Sequence, residues 1–370
     1  MMYLDDTQKI LFRHLQKTEQ IMNHLLSNEP YYGNASIVAN IDLGFPHDVI
    51  RLAGGFATGI YVKWESKVPF VPIDVCMNAC TVSLYELSEN NSDFFSKEAL
   101  QKLLLKLERS SYKANFHRGN HFISYLESVN EKKGYVMIHS SAAEFETNYN
   151  GLYPVEGNFF YNKIRTYYLD GKYIRYIEGR DAELFWKLAS NLYAYNEGRH
   201  DFIITSLLDE KNKVIEGKHY HHYGMPSQQE ALLGSHLIEH GQSVPLLTVP
   251  GDNVYLIKYQ NAIEKELCIN DKFITPHGWG KHHIGKTRFY VDTKKQVFKM
   301  DNIEYKIQYG ESLREHPGLE LRTMNATKYF QDFSKVYEYC IEKEFRQLAS
   351  YNKSGYIQWD ITKIGGGKLI

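Results

Sequence analysis

The chain has 370 residues, 43% of them hydrophobic, and its 43 basic and 44 acidic side chains leave a formal net charge of −1. That length buries a sizeable core, as one large domain or two small ones, and the balanced charge excludes a global field drawing the protein to nucleic acid or a membrane. Four cysteines (Cys76, Cys80, Cys268, Cys340) form no disulfide framework and no apolar run reaches membrane-spanning length, so the expectation is a soluble, cytoplasmic protein with no membrane partner.

Residues 5–27 carry Ile10, Leu11, Leu15, Ile21, Leu25 and Leu26 at helical spacing, and turn chemistry follows at Ser27-Asn-Glu-Pro30. From Ser36 to Leu87 the texture is strand-like with glycine breaks, in segments 57–64, 69–75 and 81–85. Ser96 N-caps a helix with Ala99, Leu100, Leu103, Leu104 and Leu107 behind it. Gly134–His139 predicts a short buried strand ending on a histidine, and Asp181–Asn196 predicts a helix. Segments 287–292 and 296–309 read as antiparallel strands, and 328–350 as a last long helix. No repeat, low-complexity segment or long linker divides the chain. The expected fold class is α+β, a single large domain over 1–370 with mixed sheets flanked by helices.

Twelve of the sixteen histidines fall between His117 and His283, and neutral imidazole is both a common metal ligand and a frequent catalyst. A Tyr/His-rich surface is the competing reading. Asp74 ends an apolar strand and is followed by Cys76, Met77, Asn78 and Cys80, which suits a transition-metal ligand pair or a turn cap beside two small buried cysteines. His121, after Arg118-Gly119-Asn120, precedes an apolar strand, and His139 closes the next one. Paired as a hairpin, those strands bring both rings to one rim, and His200, just after a helix, completes the set. Cys76-x-x-x-Cys80 has no second cysteine pair and reads against a structural zinc site. His236-Leu-Ile-Glu239-His240 matches the inverted zinc-peptidase pattern, but Gly234 and Gly241 bracket it and a short turn is expected instead of the helix that pattern needs.

Ile274-Thr-Pro-His277-Gly-Trp-Gly280-Lys281 sets a lone histidine between Pro276 and Gly278, on glycine-rich backbone that lets a phosphate approach the main chain. Two basic runs flank these candidates. Lys102, Lys106, Arg109, Lys113 and Arg118 lead into Asn120-His121; Lys281, Lys286, Arg288, Lys294 and Lys295 follow His277. Both read as solvated faces or as tracks for a phosphodiester backbone.

In order along 37–368, these segments resemble the RtcB-type RNA-splicing ligases. Leu52-Ala-Gly-Gly-Phe-Ala57 resembles the family's Gly-Gly-Val-Ala stretch, and Pro72-Ile-Asp74-Val-Cys76-Met77-Asn78 its Asp-Ile-Gly-Cys-Gly metal segment. Gly119-Asn120-His121-Phe122-Ile123 matches Gly-Asn-His-Phe-Ile, and Val136-Met-Ile-His139-Ser140 resembles the strand end His-Ser-Gly-Ser-Arg. Ala194-Tyr-Asn196, His200-Asp201 and His221-His-Tyr-Gly224 stand where the family has Ala-Asn-Arg, His-Asn and His-Arg-Lys-Gly. The run 241–251 resembles its Pro-Gly-Ser nucleotide loop, Pro276–Lys281 its nucleophile loop, and Ile364-Gly-Gly-Gly-Lys368 its lysine-bearing tail.

The resemblance implies a ligase that uses GTP and one or two Mn²⁺ ions to join RNA 3′-phosphate or 2′,3′-cyclic-phosphate ends to 5′-hydroxyl ends, in RNA repair or splicing. It implies His277 as the histidine that attacks the GTP α-phosphate, and Asp74, Cys76, His121, His139 and His200 as metal ligands. Asn120, Pro250, Gly251, Asp252, Gly278, Gly280, Lys281 and Lys368 would contact the nucleotide. Departures are visible too. Met77 falls where the family has its bridging cysteine unless a one-residue slip brings in Cys76. Ser124 replaces a glutamate, Asp252 a serine, Lys281 an arginine and Tyr223 a lysine. Two other readings stay open: a metal-dependent phosphodiesterase acting on cyclic-phosphate ends without GTP, and a non-catalytic protein that binds RNA ends.

Overall fold

The structure, a computed structural model, describes residues 5–359 except 77, 118, 143, 148–151, 154, 209–211, 260–267, 270–271, 285–287 and 324–338. The described residues are of mixed class, mostly strands with few helices. Helix Asp6–Leu26 forms where the apolar spacing predicts it. Asp5 caps it by accepting the Gln8 N–H at 2.9 Å, and Leu11, Leu15, Ile21, Leu25 and Leu26 are buried in the main core. Each leucine so buried contributes about 2 kcal/mol. Ser96 likewise caps helix Lys97–Glu108 through the Ala99 N–H.

The large antiparallel sheet positions the site. Its strands run in the spatial order Ser243–Leu246, Val254–Tyr259, Tyr339–Asn352, Phe122–Ser128, Gly134–Ser140, Thr81–Leu87 and Val214–His221, with Gly355–Gln358 returning on Tyr339–Asn352. A second sheet joins Asn34–Gly44, Thr58–Glu65, Glu230–Leu233 and Tyr223–Ser227, all antiparallel. Ser235–Glu239 pairs with Lys272–Pro276, and Trp279–His283 with Leu319–Thr323, so the 276–279 turn passes from one small sheet to another. No helix among the described residues is long and apolar enough to cross a membrane.

Three local expectations are corrected. Within 328–350, Tyr339–Asn352 is a 14-residue strand rather than a helix, and 328–338 lie outside the described residues. Phe345, Gln347 and Ala349 are buried while Arg346 and Leu348 between them are half-buried, a local period of two that strands on both sides stabilise. Segment 235–239, expected as a short turn, is a strand, and so equally lacks the helix that the peptidase pattern needs. The helix expected at 181–196 runs over Gly179–Leu207, so His200 lies within it instead of after it. The strands expected at 287–292 and 296–309 form as Phe289–Asp292, Val297–Met300 and Ile303–Lys306.

Candidate active site and metal centre

Strand register assembles the first cluster. Phe122 pairs with His139 across neighbouring strands, as the two histidine-ended strands predict, and the His121 and His139 rings meet edge to face at 5.6 Å. Val82 also pairs with His139, and Thr81 with His221. Side chains alternate along a strand, so Cys80 and Val82 share a face with His139, and His222, whose N–H donates to the Cys80 carbonyl at 3.2 Å, lies beside Cys80. The outcome is a buried trio, Cys80, His139 and His222, whose donor atoms all lie within 4.8 Å of one another.

The hydrogen bonds of that trio leave it prepared for a cation. His139 Nδ1 donates to the Asn120 carbonyl at 3.0 Å, which leaves the lone pair on Nε2. That Nε2 lies 3.3 Å from the Cys80 sulfur and 3.3 Å from His222 Nε2. Two imidazole nitrogens facing each other need a proton or a metal ion between them, and His222 Nδ1 has no hydrogen-bond partner. Burial pushes His139 down to about 4 and His222 well below the ordinary histidine range, so both rings are neutral at pH 7. One sulfur and two imidazole nitrogens form a soft donor set that fits a zinc-class ion; a harder ion such as Mn²⁺ would need added oxygens from water or phosphate.

His277 stands beside this trio, its ring 5.2 Å from that of His222. One carboxylate oxygen, Asp42 Oδ2, accepts from His277 Nδ1 at 2.6 Å, from the His277 main-chain N–H at 3.0 Å and from the Gly278 N–H at 2.7 Å. Both side chains are buried. This fixes the tautomer with the proton on Nδ1 and leaves Nε2 as the nucleophilic nitrogen. Gly278 sits at φ +113°, and a Cβ there would run into the Leu247 main chain, whose N–H donates to the His277 carbonyl at 2.9 Å. Glycine is therefore required where the loop 247–250 closes on the histidine.

A cavity of about 520 Å³ connects these groups, lined by Cys80, His121, His222, His277 and a cationic rim of Arg51, Lys281, Arg314 and Lys353. Asp48 partly neutralises Arg51 at 3.6 Å, so the rim keeps a positive excess suited to an anion. A smaller, largely apolar cavity of about 220 Å³ adjoins it and shares Gly119, Asn120, His121, Leu321 and Lys353. Pro250, Leu247, Gln347, Ser350 and Asn352 line its other walls.

The sequence-derived candidates therefore separate. His277, His121, His139, Asn120, Gly280 and Lys281 converge on the main cavity or its cluster. Pro250 lines the smaller cavity, while Gly251 and Asp252 lie in a turn held by Gln347, which donates to the Val249 and Asp252 carbonyls at 3.1 and 2.7 Å. Asp74 does not join: it is fully buried in a bidentate pair with Arg175. Cys76 does not join either, since burial pushes its thiol up and it packs with Ile50 and Tyr153. His200 has both ring nitrogens engaged, with Ser83 Oγ at 2.6 Å and Ser140 Oγ at 2.5 Å. Those serines alternate with Val82 and His139, so His200 is on the opposite, helix-covered face of the sheet and cannot reach the trio. Met77 and Lys368 lie outside the described residues.

Cys80, His222 and Asp42 are the site residues that sequence reasoning left without a role. The spacing of Cys80 from Val82 was a usable signal once the pairing of Val82 with His139 is known; Asp42 carries no local signal, because its partner is 235 residues away. Among known proteins, no family model matches the chain, and no curated protein matches it.

Proposed function

We propose that the chain is an RNA ligase of the RtcB type, which joins 3′-phosphate or cyclic-phosphate ends to 5′-hydroxyl ends through a guanylylated His277. One observation carries the reading: a histidine oriented through Nδ1 by a buried carboxylate stands one ring from a Cys80/His139/His222 trio, in a cavity with a cationic rim. His277 Nε2 attacks the α-phosphorus of GTP, a P–N bond forms and pyrophosphate leaves. Positive charge grows on the imidazole as it attacks, and Asp42 stabilises it at Nδ1. Water first opens a cyclic-phosphate end, breaking the P–O2′ bond to leave a 2′-hydroxyl and a 3′-phosphate, and an RNA 3′-phosphate oxygen then displaces His277 from the guanylyl phosphorus. Attack by the 5′-hydroxyl oxygen on the activated 3′-phosphate expels GMP and closes the phosphodiester. Lys281, Arg314 and Lys353 neutralise the phosphates during these steps.

A divalent ion held by Cys80, His139 and His222 would polarise phosphoryl oxygens beside His277. His121, on the same wall, would supplement that set. The smaller cavity is apolar with Asn352, Gln347 and Ser350 at its edge, dimensions and chemistry that suit a nucleobase.

A second reading, metal-dependent hydrolysis of cyclic-phosphate ends, draws on the 250–252 turn, where Pro250 lines the smaller cavity and Asp252 adds negative charge to any triphosphate site. Incubation with α-labelled GTP and Mn²⁺ or Zn²⁺, beside the His277→Ala variant, separates the two. Acid-labile label on the wild type alone supports the ligase. Metal bound without label, together with hydrolysis of a cyclic-phosphate end, sinks it in favour of the phosphodiesterase.

A further inference from the structure

A second group of ligand-type side chains lies away from the main trio. His283 ends strand Trp279–His283, Asp301 sits in the turn between Val297–Met300 and Ile303–Lys306, and His316 belongs to the segment that leads into Leu319–Thr323. Their donor atoms all lie within 4.8 Å of one another. Asp301 Oδ2 is 2.7 Å from His283 Nε2 and 3.8 Å from His316 Nε2. We infer that His283, Asp301 and His316 bind a zinc-class divalent cation that clamps three chain segments together.

Three independent observations support this. His316 is buried at 4% exposure, yet its Nε2, directed at the Asp301 carboxylate, has no hydrogen-bond partner. An orphaned polar atom in such a place is costly unless something occupies the gap. The chain is also shaped to bring the rings together: a Cβ on Gly318 would run into the His283 imidazole. Finally, Asp301 adopts a left-handed φ of +54° and is anchored there, its Oδ1 accepting the Arg288 N–H at 3.2 Å while Oδ2 stays aimed at the histidines.

Two imidazole nitrogens and one carboxylate oxygen form a mixed set that zinc-class ions favour, and Asp301 is 30% exposed on its side chain, so water can complete a tetrahedron. The proton balance is specific. His283 now donates Nε2–H to Asp301, and His316 Nδ1 accepts the Gly318 N–H at 3.1 Å. On metal binding each Nε2 proton passes to Nδ1 of its own ring, the Gly318 hydrogen bond is given up, and no proton is lost. The ion would tie the strand bearing Lys281 to the loop bearing Arg314, the two rim cations already joined where Lys281 Nζ donates to the Arg314 carbonyl at 2.8 Å.

The test uses the full chain, stripped of metal and titrated with Zn²⁺ alone, in a Cys80→Ala background that disables the main trio. Bound zinc is measured by equilibrium dialysis and stability by thermal unfolding. The expected result is one retained equivalent of zinc and a zinc-dependent rise in Tm. Adding His316→Gln should weaken that binding by about tenfold or more, the scale on which even outer-shell ligand substitutions act, and abolish the rise. If the His316→Gln protein does not fold, Asp301→Asn, at a half-exposed turn, makes the same prediction. Zinc stoichiometry and Tm response unchanged by these substitutions would overturn the inference, as would no zinc bound in the Cys80→Ala background.

Discussion

Asp42→Asn isolates what orients His277. Asp42 Oδ2 accepts three N–H groups while Oδ1 lies buried without a partner. An asparagine of the same shape keeps an acceptor at Oδ2 but removes the charge. Hydrogen bonds to an ionised group contribute about 1.5–3 kcal/mol against about 0.5–1.5 for neutral ones, so the three together weaken by about 3 kcal/mol. The amide NH₂ then falls where Oδ1 is buried, which adds to the cost. Of the three, only the Nδ1 bond strengthens as charge develops on the imidazole during attack, so transfer of label from GTP slows by about 1.5 kcal/mol, roughly tenfold. Two assays are needed: single-turnover labelling of His277, and nitrogen NMR of its ring, where the wild type should carry its proton on Nδ1. Labelling of Asp42→Asn at the wild-type rate, or a wild-type ring protonated on Nε2, would refute the reasoning.

Cys80→Ser should lower divalent-metal affinity by at least about tenfold, read by dialysis against Zn²⁺, because a hydroxyl replaces the single sulfur donor. Asp74→Asn should leave metal stoichiometry unchanged but destabilise the fold by about 3–5 kcal/mol in denaturant titration, because Arg175 loses its buried counter-charge; loss of metal instead would restore Asp74 as a ligand. Acid should destabilise the metal-free protein. Burial depresses His139 to about 4 and His14 to about 3, so between those values and 6.5 the unfolded chain binds protons that the native chain does not. Stability is then fully present above about 6.5 and falls as pH drops, with a slope approaching 1.4 kcal/mol per unit for each such histidine. Lys172, depressed by burial to about 8, acts in the same sense at higher pH: stability should rise between about 8 and 10.4, measurable by urea titration across that range.

The two histidine-ended strands were legible because their apolar runs are short and the rings close them, and the pair forms as read. The metal set was less legible. His200 looked equivalent to His139 along the chain, yet His139 is on the trio's face of the sheet, while His200 belongs to the helix packed on the opposite face, where it meets Ser83 and Ser140. Tyr339–Asn352 misled for a related reason: its apolar positions satisfy both periods locally, and only its strand neighbours decide between them.

What the amino-acid order determines by itself is local: capped helices at Asp5 and Ser96, and a glycine that lets the chain turn tightly after His277. Tertiary structure alone decides the company each residue keeps. Asp42 reaches His277 across 235 residues, and Cys80 and His222 meet His139 through antiparallel register. Such pairings are selected by burial of whole sheet faces, and no local propensity encodes them.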